Sequence, residues 1–445
     1  MPSLDRFRFI YSLAGAMIVG EWSASAIRTS LRCNPTDLPI RVPKLAERLL
    51  AAFGVKPRFY PLAEFLLADA GVRRAVSRTW YWVPDGWAPE SLRRPKMDKP
   101  PVRLRGIAIP KLATESALAK WFGIGVTSLR WYADVSGRNR RNPHGPLRTY
   151  RYRWVPRRHG LPRLLEIPKA SLKEMQRKIL AEILDKVPAH PAAHGFCPGR
   201  SIVTNAGVHC GKPAVLRFDL VDFFPSVSSA RVFRLFRTLG YPARVARLLM
   251  GLCTTEMPAD VWDQRPGARE GADFAARQRL VTRHLPQGAP TSPALANLAA
   301  IRLDRRLSGL AAAVGAAYTR YADDLTFSGG DELARARNRL ASIVAVIADE
   351  EDFALNHRKT RFMRAGVRQH VTGVVVNVGP NIARAEFDRL KAVLTNCVRH
   401  GPGSQNRQSH PDFRAYLAGK LAQVASIHPT RGEKLWGIFR QIRWD

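Results

Sequence analysis

Two adjacent aspartates, Asp323 and Asp324, lie between short runs of β-branched and aromatic residues, in the stretch from Tyr318 to Ser328. This pattern predicts a β-hairpin with the two acids at its tip. A second strand-like run, Leu216 to Pro225, carries Asp219. Mg²⁺ prefers oxygen ligands and keeps its other positions for waters and phosphates. Three carboxylates from two strands therefore predict a site for two divalent cations that supports phosphoryl transfer.

The charge of the chain points to a polyanionic partner. Among 445 residues, 71 are Lys or Arg and 36 are Asp or Glu, which gives a formal charge of +35. Nucleic acid is the preferred partner and an anionic membrane surface is the second candidate. The basic residues are spread over the whole length, which favours a groove that follows a nucleic-acid backbone. No apolar run is long enough to span a bilayer, and nucleic acid, not a membrane, is the expected partner.

The five cysteines indicate a reduced, cytoplasmic protein, because their number is odd and none has Cys-x-x-Cys spacing. A short signal peptide is an alternative interpretation of the start, where Arg6 and Arg8 precede the apolar run from Phe9 to Val19. Glu21 and Trp22 interrupt that run. A buried or amphipathic helix is therefore the preferred interpretation.

Composition also predicts where the chain divides. Residues 1–83 are apolar and basic with helical spacing, and residues 84–110 are rich in proline, lysine and arginine, which favours an extended connection. Residues 115–133 predict two helices separated by Gly123 and Gly125. These helices could read DNA as a helix-turn-helix, but a helical hairpin packed on the next domain is preferred.

Several further elements are predicted downstream. Leu285 to Pro293 has the composition of a rigid loop, because its prolines fix φ and Gly288 permits close backbone approach to a ligand. The remaining predictions are a strand-turn-strand with its turn at 157–160, a helix at 171–184, a polar surface insertion at 254–282, and a strand at 371–377.

The order of these motifs resembles the palm of reverse transcriptases: an Asp strand, a Gln-Gly loop, then a Tyr-x-Asp-Asp hairpin. Two triplets resemble signatures of the retron reverse transcriptases, Asn205-Ala-Gly-Val-His209 and Val371-Thr-Gly373. The resemblance covers about residues 115–445 and implies an α+β, right-hand polymerase fold. Its predicted domains are an N-terminal helical extension with a proline-rich linker at 1–110, fingers at 111–210, palm at 211–385 and thumb at 386–445.

The resemblance also implies roles for individual residues. Two Mg²⁺ ions, with Mn²⁺ as a possible substitute, would be held by the catalytic residues Asp219, Asp323 and Asp324. Nucleotide binding would use Leu220, Phe224, Gln287, Gly288, Arg163 and Lys359. RNA recognition would use Asn205, Ala206, His209, Val371, Thr372 and Gly373.

Two residues of the first Asp strand can also be interpreted from their chemistry. Phe224 would lie beneath the sugar of the incoming nucleotide, where a bulky ring excludes a 2′-hydroxyl. Asp222 is expected to point away from Asp219 and to have a structural or solvated role.

The function that the resemblance implies is RNA-directed DNA polymerisation in the bacterial cytoplasm. Synthesis would start from a 2′-hydroxyl of a cognate structured noncoding RNA and produce branched multicopy single-stranded DNA from dNTPs. An effector protein from the same locus, acting in defence against phage, is a further expected partner. Two alternatives stay open: a diversity-generating or abortive-infection reverse transcriptase, and an RNA-binding scaffold with a decayed polymerase site. The intact Asp219, Asp323 and Asp324 argue against the scaffold.

Overall fold

The computed structural model describes residues 10, 11, 13–15, 17, 18, 21–32, 44–79, 96–139, 147–157, 162–266 and 274–444. The N-terminal residues 1–9, most of the predicted turn at 157–160 and residues 84–95 of the predicted linker lie outside these ranges. Within them, no helix is both long and apolar enough to cross a membrane.

The chain divides into two compact units between Pro95 and Lys96. The sequence placed the end of the N-terminal segment at residue 110, so residues 96–110 belong to the second unit instead. In that stretch, the backbone N of Asp98 donates to the carbonyl O of Gly240 at 2.7 Å, and its carboxylate pairs with Arg237 at 2.7 Å. These bonds attach the basic stretch to the second unit, which composition alone could not reveal.

The first unit is helical. Its helices are α1 (Ala24–Arg32), α2 (Leu45–Ala52), α3 (Phe59–Ala68) and α4 (Ala70–Thr79). Leu45 and Leu49 of α2 pack with Leu62 and Leu66 of α3 in one buried apolar cluster. The four-residue spacing within each pair of leucines puts both members on one helix face. The predicted helical character of this segment is confirmed over the described residues.

The second unit carries eight described strands and fourteen described α-helices. Its strands are β1 (Tyr150–Val155), β2 (Arg163–Pro168), β3 (Ala214–Asp219), β4 (Ala317–Tyr321), β5 (Asp324–Gly329), β6 (Arg361–Arg364), β7 (His370–Val371) and β8 (Val374–Val375). Its helices are α5 (Glu115–Phe122), α6 (Val126–Ala133), α7 (Ala170–Glu182), α8 (Ile202–Gly207), α9 (Ser229–Thr238), α10 (Ala243–Cys253), α11 (Ala259–Asp263), α12 (Phe274–Val281), α13 (Ser292–Ala299), α14 (Ile301–Ala313), α15 (Asp331–Glu350), α16 (Arg384–His400), α17 (Phe413–Ile427) and α18 (Pro429–Phe439).

The central sheet has the strand order β4-β5-β3-β6, and every neighbouring pair is antiparallel. The predicted hairpin is confirmed, with β4 and β5 joined by a tight turn at Ala322 and Asp323. Strand β3 is buried along most of its length. Its apolar residues Leu216 and Phe218 join the large core that the flanking helices share. A sheet buried in this way fixes its register firmly, because a one-residue slip would turn apolar side chains toward the wrong face.

The predicted helical pair at 115–133 is also confirmed. Thr114 caps α5 by accepting a hydrogen bond from the backbone N of Ala117 at 3.0 Å. Gly123 ends that helix in the left-handed conformation, with φ of 72°. Leu118 and Leu129, one from each helix, are buried in the main core. The pair therefore packs as a helical hairpin, which was the preferred interpretation.

Two sequence predictions are wrong. The stretch 254–282 is not a purely surface insertion, because Met257 and Val261 form a buried cluster with Leu164 of β2. The stretch 371–377 is not one strand: Thr372 and Gly373 have φ of 49° and 82° and turn the chain between β7 and β8. Two successive residues in the left-handed region form a tight hairpin turn, which a run of valines obscured in the sequence.

The last three helices share a separate apolar cluster. Leu394 of α16, Leu421 of α17 and Leu435 of α18 are buried there, together with Val371 and Val374 of the small hairpin. The turn at Thr372 and Gly373 is therefore anchored on the C-terminal helices.

Candidate catalytic and nucleic-acid site

The acidic residues meet at one end of the β3/β5 pair. Asp219 is the last residue of β3 and lies directly opposite Asp324, the first residue of β5. Asp323 immediately precedes it, and its backbone carbonyl accepts a hydrogen bond from the N of Leu220 at 2.9 Å. The structure thus brings together the three carboxylates that the sequence singled out.

Two basic side chains pair with these carboxylates. The Lys359 ammonium donates to both oxygens of Asp219, at 3.0 and 2.9 Å. The Arg217 guanidinium donates to Asp324 at 3.1 Å. Arg217 was not among the predicted site residues. The alternation of β3 gave a signal for it, because residues two apart on a strand share a face and Arg217 is two positions before Asp219.

Asp323 is the carboxyl group whose ionisation is most hindered. Burial raises its pKa, and the negative charges of Asp219 and Asp324 raise it further. A group of this kind is stabilised as an anion when positive charge is supplied beside it.

The turn that carries Asp323 depends on a fully buried arginine, Arg320. Its Nε and Nη2 donate to the two carboxylate oxygens of Asp304 at 2.8 and 2.7 Å. Its Nη1 donates to Asn297 Oδ1 at 3.0 Å and to the carbonyl of Ala322 at 3.1 Å. Ala322 has φ of 56°, a left-handed conformation that is unfavourable for residues with a Cβ. The guanidinium therefore connects α13 and α14 to the strained turn at the acids.

The donor set fits a divalent cation in its chemistry. Asp219, Asp323 and Asp324 offer hard carboxylate oxygens, and burial together with the neighbouring carboxylates raises the pKa of Asp323, so added positive charge would stabilise its anion. Within the described ranges, however, no three His, Cys, Asp or Glu side chains converge as a metal-binding group. Asp219 and Asp324 are instead paired with protein cations, Lys359 and Arg217.

Two adjacent phenylalanines follow Asp219 and differ in burial. Phe223 belongs to the core and stacks on Phe353 with ring centroids 5.7 Å apart. Phe224 is only partly buried, and its ring lies 6.0 Å from that of Phe196. Phe196 is half exposed and has φ of 59°. No sequence pattern indicated Phe196, which the fold places beside Phe224.

The predicted Gln-Gly loop lies against β2. The backbone N of Glu166 donates to the carbonyl of Gln287 at 2.9 Å. A Cβ added to Gly288, whose φ is 136°, would lie 2.9 Å from the carbonyl O of Glu166, so only glycine fits there. Arg163, an exposed residue at the start of β2, lines the same cleft as Gln287. Within the described part of the chain, the Gln287 Oε1 atom is shielded from solvent and has no hydrogen-bond partner.

Leu220 and Asp222 follow the catalytic strand. Leu220 is buried, and its backbone N bonds to Asp323, so it can offer only backbone atoms to a nucleotide. Asp222 pairs with Arg279 at 2.9 Å, in agreement with the structural role expected for it.

Burial divides the residues of the two signature triplets into two groups. The side chains of four of the six are almost completely shielded from solvent: Asn205, Ala206, His209 and Val371. His209 bonds Ser328 Oγ through Nδ1 and Thr319 Oγ1 through Nε2, both at 2.7 Å. Burial lowers the pKa of this imidazole to about 3. Thr372 and Gly373 are the accessible residues, and the Thr372 hydroxyl donates to the carbonyl of Ile202 at 3.3 Å.

Comparison with known proteins defines the class. A family model described as reverse transcriptase (RNA-dependent DNA polymerase) matches residues 155–390, which include all three acids and the Gln-Gly loop. The chain is therefore an RNA-directed DNA polymerase with the right-hand polymerase fold, and divalent metal and nucleic acid are its general requirements.

Curated relatives narrow the family. The retron Mx65 reverse transcriptase of Myxococcus xanthus is 43% identical over 75% of this chain and 73% of its own length. The retron Mx162 reverse transcriptase of the same organism is 36% identical over 74% of this chain and 67% of its own length. The retron Ec86 reverse transcriptase of Escherichia coli is 32% identical over 66% of this chain and 80% of its own length. This chain belongs to the family of retron reverse transcriptases.

Proposed function

We propose that this enzyme starts DNA synthesis from a 2′-hydroxyl of its cognate structured RNA and copies that RNA into branched multicopy single-stranded DNA. The 43% identity to the retron Mx65 reverse transcriptase supports this, as do the two signature triplets. The observation that carries the catalytic part is the meeting of Asp219, Asp323 and Asp324 at one end of β3 and β5.

In this proposal the three carboxylates hold two Mg²⁺ ions. Bound there, the ions would activate the attacking hydroxyl and stabilise the leaving oxygen during attack on the α-phosphate of a dNTP. Lys359 and Arg217 balance the acidic cluster in the free enzyme, because each lies about 3 Å from a carboxylate oxygen. The Lys359 side chain is 59% exposed and ends a flexible stem. It is therefore suited to leave Asp219 and bind the departing pyrophosphate.

The nucleotide site extends from the acids toward β2. Phe224 supports the sugar and excludes ribonucleotides, whereas Arg163 binds the triphosphate through its guanidinium fork. Gln287 and Gly288 contact the nucleotide and the template, with backbone atoms of Leu220 completing the pocket. The unpartnered Gln287 Oε1 provides an acceptor for a base or sugar donor.

Direct RNA recognition by the signature triplets is assigned to their accessible residues, Thr372 and Gly373. The buried Ala206 and Val371 pack in the apolar cluster beneath the turn on which those two lie, whereas the buried His209 bonds Ser328 and Thr319 of the central sheet and Asn205 is buried as well. The basic helices α16, α17 and α18 would hold the template-primer duplex by its phosphates. An effector protein from the same locus would link the product to defence against phage. The bacterial cytoplasm is the proposed place of action, because dNTPs are available there.

One experiment tests the whole proposal. The gene is expressed with its flanking DNA, the protein is purified, and its bound nucleic acid is run on a denaturing gel before and after ribonuclease. A discrete DNA band that shortens with ribonuclease and keeps an RNA stub is the expected result. The matched control carries both Asp323→Asn and Asp324→Asn, which should retain bound RNA and make no DNA.

Other results would select the alternatives. DNA without an attached RNA stub would indicate a reverse transcriptase that does not prime from RNA of its own. Bound RNA alone, with no extension by added dNTPs and Mg²⁺, would make an RNA-binding scaffold the better account.

A further inference from the structure

A buried ionisable pair lies under the Gln-Gly loop and has no part in the chemistry described so far. Glu166 of β2 and His284, just before the loop, are both almost completely shielded from solvent. His284 Nε2 lies 3.0 Å from Glu166 Oε2. The same carboxylate oxygen accepts a hydrogen bond from the backbone N of Gln287 at 3.3 Å. One carboxylate therefore contacts both the histidine and the loop.

Each ring nitrogen of His284 faces an oxygen atom. Its Nδ1 lies 2.7 Å from the carbonyl O of Thr282, and a carbonyl can only accept, so Nδ1 carries a proton. Its Nε2 faces Glu166 Oε2, and when Glu166 is ionised that oxygen only accepts, so Nε2 then carries a proton too. With both nitrogens donating, the ring is an imidazolium ion. The pair is thus a buried salt bridge.

The surrounding charges favour this state. Burial by itself lowers the pKa of His284, but the charge of Glu166, the hydrogen bonds to Glu166 and Thr282, and the charge of Glu256 together raise it above its usual value. Glu256 faces the ring from the segment before α11, and Arg283, next to His284, bonds Glu256 at 2.8 Å. The β1 tyrosines, Tyr150 and Tyr152, stay neutral on the other side, because burial raises the pKa of both.

The pair joins two parts of the nucleotide site. Gln287 is bonded to Glu166 twice, through its backbone N and through its carbonyl O. Arg163 is three residues before Glu166 on the same strand. His284 is itself fixed to the chain segment behind it, since its backbone N and O bond Thr255 at 2.9 and 3.0 Å. The spacing between the Gln287 and Arg163 side chains therefore depends on the contact between Glu166 and His284.

We propose that Glu166 and His284 are positioning residues that hold the Gln287–Gly288 loop against β2 in the geometry that binds the incoming dNTP. This inference rests on the nucleotide-binding roles proposed above for Gln287 and Arg163. Neither Glu166 nor His284 contacts the reacting atoms. Loss of the salt bridge weakens dNTP binding and leaves the metal-binding acids in place.

The direction of the pH effect follows from the charge of the ring. Because the folded protein raises the pKa of His284, the salt bridge is complete below that pKa and is lost as the pH rises through it. Neutral His284 would keep one ring proton and could not donate to both Thr282 and Glu166. The KM for dNTP should therefore increase on the alkaline side.

The test measures KM and kcat for one dNTP on a synthetic RNA template with an annealed DNA primer, from pH 6 to pH 9. For the wild-type enzyme we expect KM to rise about tenfold across this range, the effect of losing one charge-assisted hydrogen bond. His284→Gln keeps a neutral donor toward Glu166, so its KM should stay near the acid value at every pH. Glu166→Gln removes the charge that holds the imidazolium, so its KM should stay near the alkaline value.

Changes in kcat with pH should be the same in all three enzymes, because the salt bridge does not contact the reacting atoms. A merely structural pair would lower thermal stability in both variants and leave the KM profile parallel to that of the wild-type enzyme. That result would overturn the proposal.

A measurement on the unaltered enzyme covers the case in which a variant does not fold. Histidine labelled with ¹⁵N reports the protonation of His284 in the wild-type protein, and its midpoint should coincide with the midpoint of the KM profile. A His284 titration midpoint that differs clearly from the midpoint of the KM profile would refute the proposed link between the salt bridge and dNTP binding. Absence of dNTP incorporation at every pH would instead count against the polymerase function, so the two failures are distinguishable.

Discussion

The acidic end of the central sheet and the region of the signature triplets are equally well marked in the sequence, yet they use their polar residues in opposite ways. At the acidic end, Asp219 and Asp324 pair with the partly exposed cations Lys359 and Arg217. Four residues further along β5, Ser328 bonds the buried His209. A characteristic motif thus identifies a family without saying whether its residues contact a ligand or hold the fold.

The two regions differ in the partners that the fold provides for their polar groups. His209 has a protein partner on each ring nitrogen, so it needs nothing from solvent or a ligand. Asp323 is buried among like charges, so it gains from added positive charge. The following variants test this contrast, from the largest expected effect to the smallest.

Asp323→Asn should abolish DNA synthesis while leaving the protein folded. Loss of one metal-binding carboxylate removes several kcal/mol of transition-state stabilisation, about 10³-fold or more in rate. Thermal stability should be unchanged or higher, because repulsion from Asp219 and Asp324 is relieved. The measurement is dNTP incorporation on a primed RNA template with Mg²⁺. Asp222→Asn, whose parent carboxylate bonds Arg279, is the matched control and should keep most of the activity. Equal loss in both variants would contradict the assignment.

Arg320→Met should lower the free energy of unfolding by about 3–5 kcal/mol, because it leaves the Asp304 carboxylate buried without its partner. Denaturant unfolding measures this change. Adding Asp304→Leu to the same chain removes the uncompensated charge and should recover part of the loss. Arg306→Met is the control: Arg306 pairs with the exposed Glu350 and with Glu351, which keeps Arg231 and Arg302 as partners, so the free energy of unfolding should fall much less than in Arg320→Met. Similar losses of unfolding free energy in both single variants would show that Arg320 does not stabilise the catalytic turn more than an exposed ion pair does.

His209 should make the protein less stable in acid. Its folded pKa is about 3, below the unfolded value of 6.5, so the neutral ring stabilises the fold above pH 6.5 and this contribution is lost as the pH falls. Between pH 7 and pH 5 the free energy of unfolding should drop by about 2 kcal/mol from this residue. His209→Gln, which can still bond both hydroxyls, should lack that part of the pH dependence. Parallel pH profiles for the two proteins would show that His209 does not titrate as a buried neutral group.

Thr372→Ala should change RNA binding more than stability. Its hydroxyl is partly exposed, so the free energy of unfolding should stay within about 0.5 kcal/mol of the wild-type value. If the accessible residues contact RNA, the dissociation constant for the cognate RNA should rise about threefold to tenfold, as for one lost neutral hydrogen bond. His209→Gln is the matched comparison and should leave that constant unchanged at neutral pH. A higher dissociation constant for RNA in His209→Gln and an unchanged one in Thr372→Ala would instead assign RNA recognition to the buried residues.

Much of this protein was determined by local sequence. The Asp-Asp hairpin was predictable because β-branched and aromatic flanks favour strands, and the helical pair at 115–133 because its glycines stop a helix. The polymerase class followed from the order of three short motifs. The roles of the individual site residues stay predictions until they are tested by substitution.

Tertiary structure decided the rest, because exposure and pairing depend on residues distant in sequence. Residues 371–377 were predicted as a strand, but two left-handed residues make them a hairpin packed on the C-terminal helices. Burial of His209 depends on Ser328 and Thr319, more than 100 positions away. The salt bridge between Glu166 and His284 joins residues 118 positions apart. Sequence fixes which groups can ionise, and only the fold brings together the charges that decide whether they do.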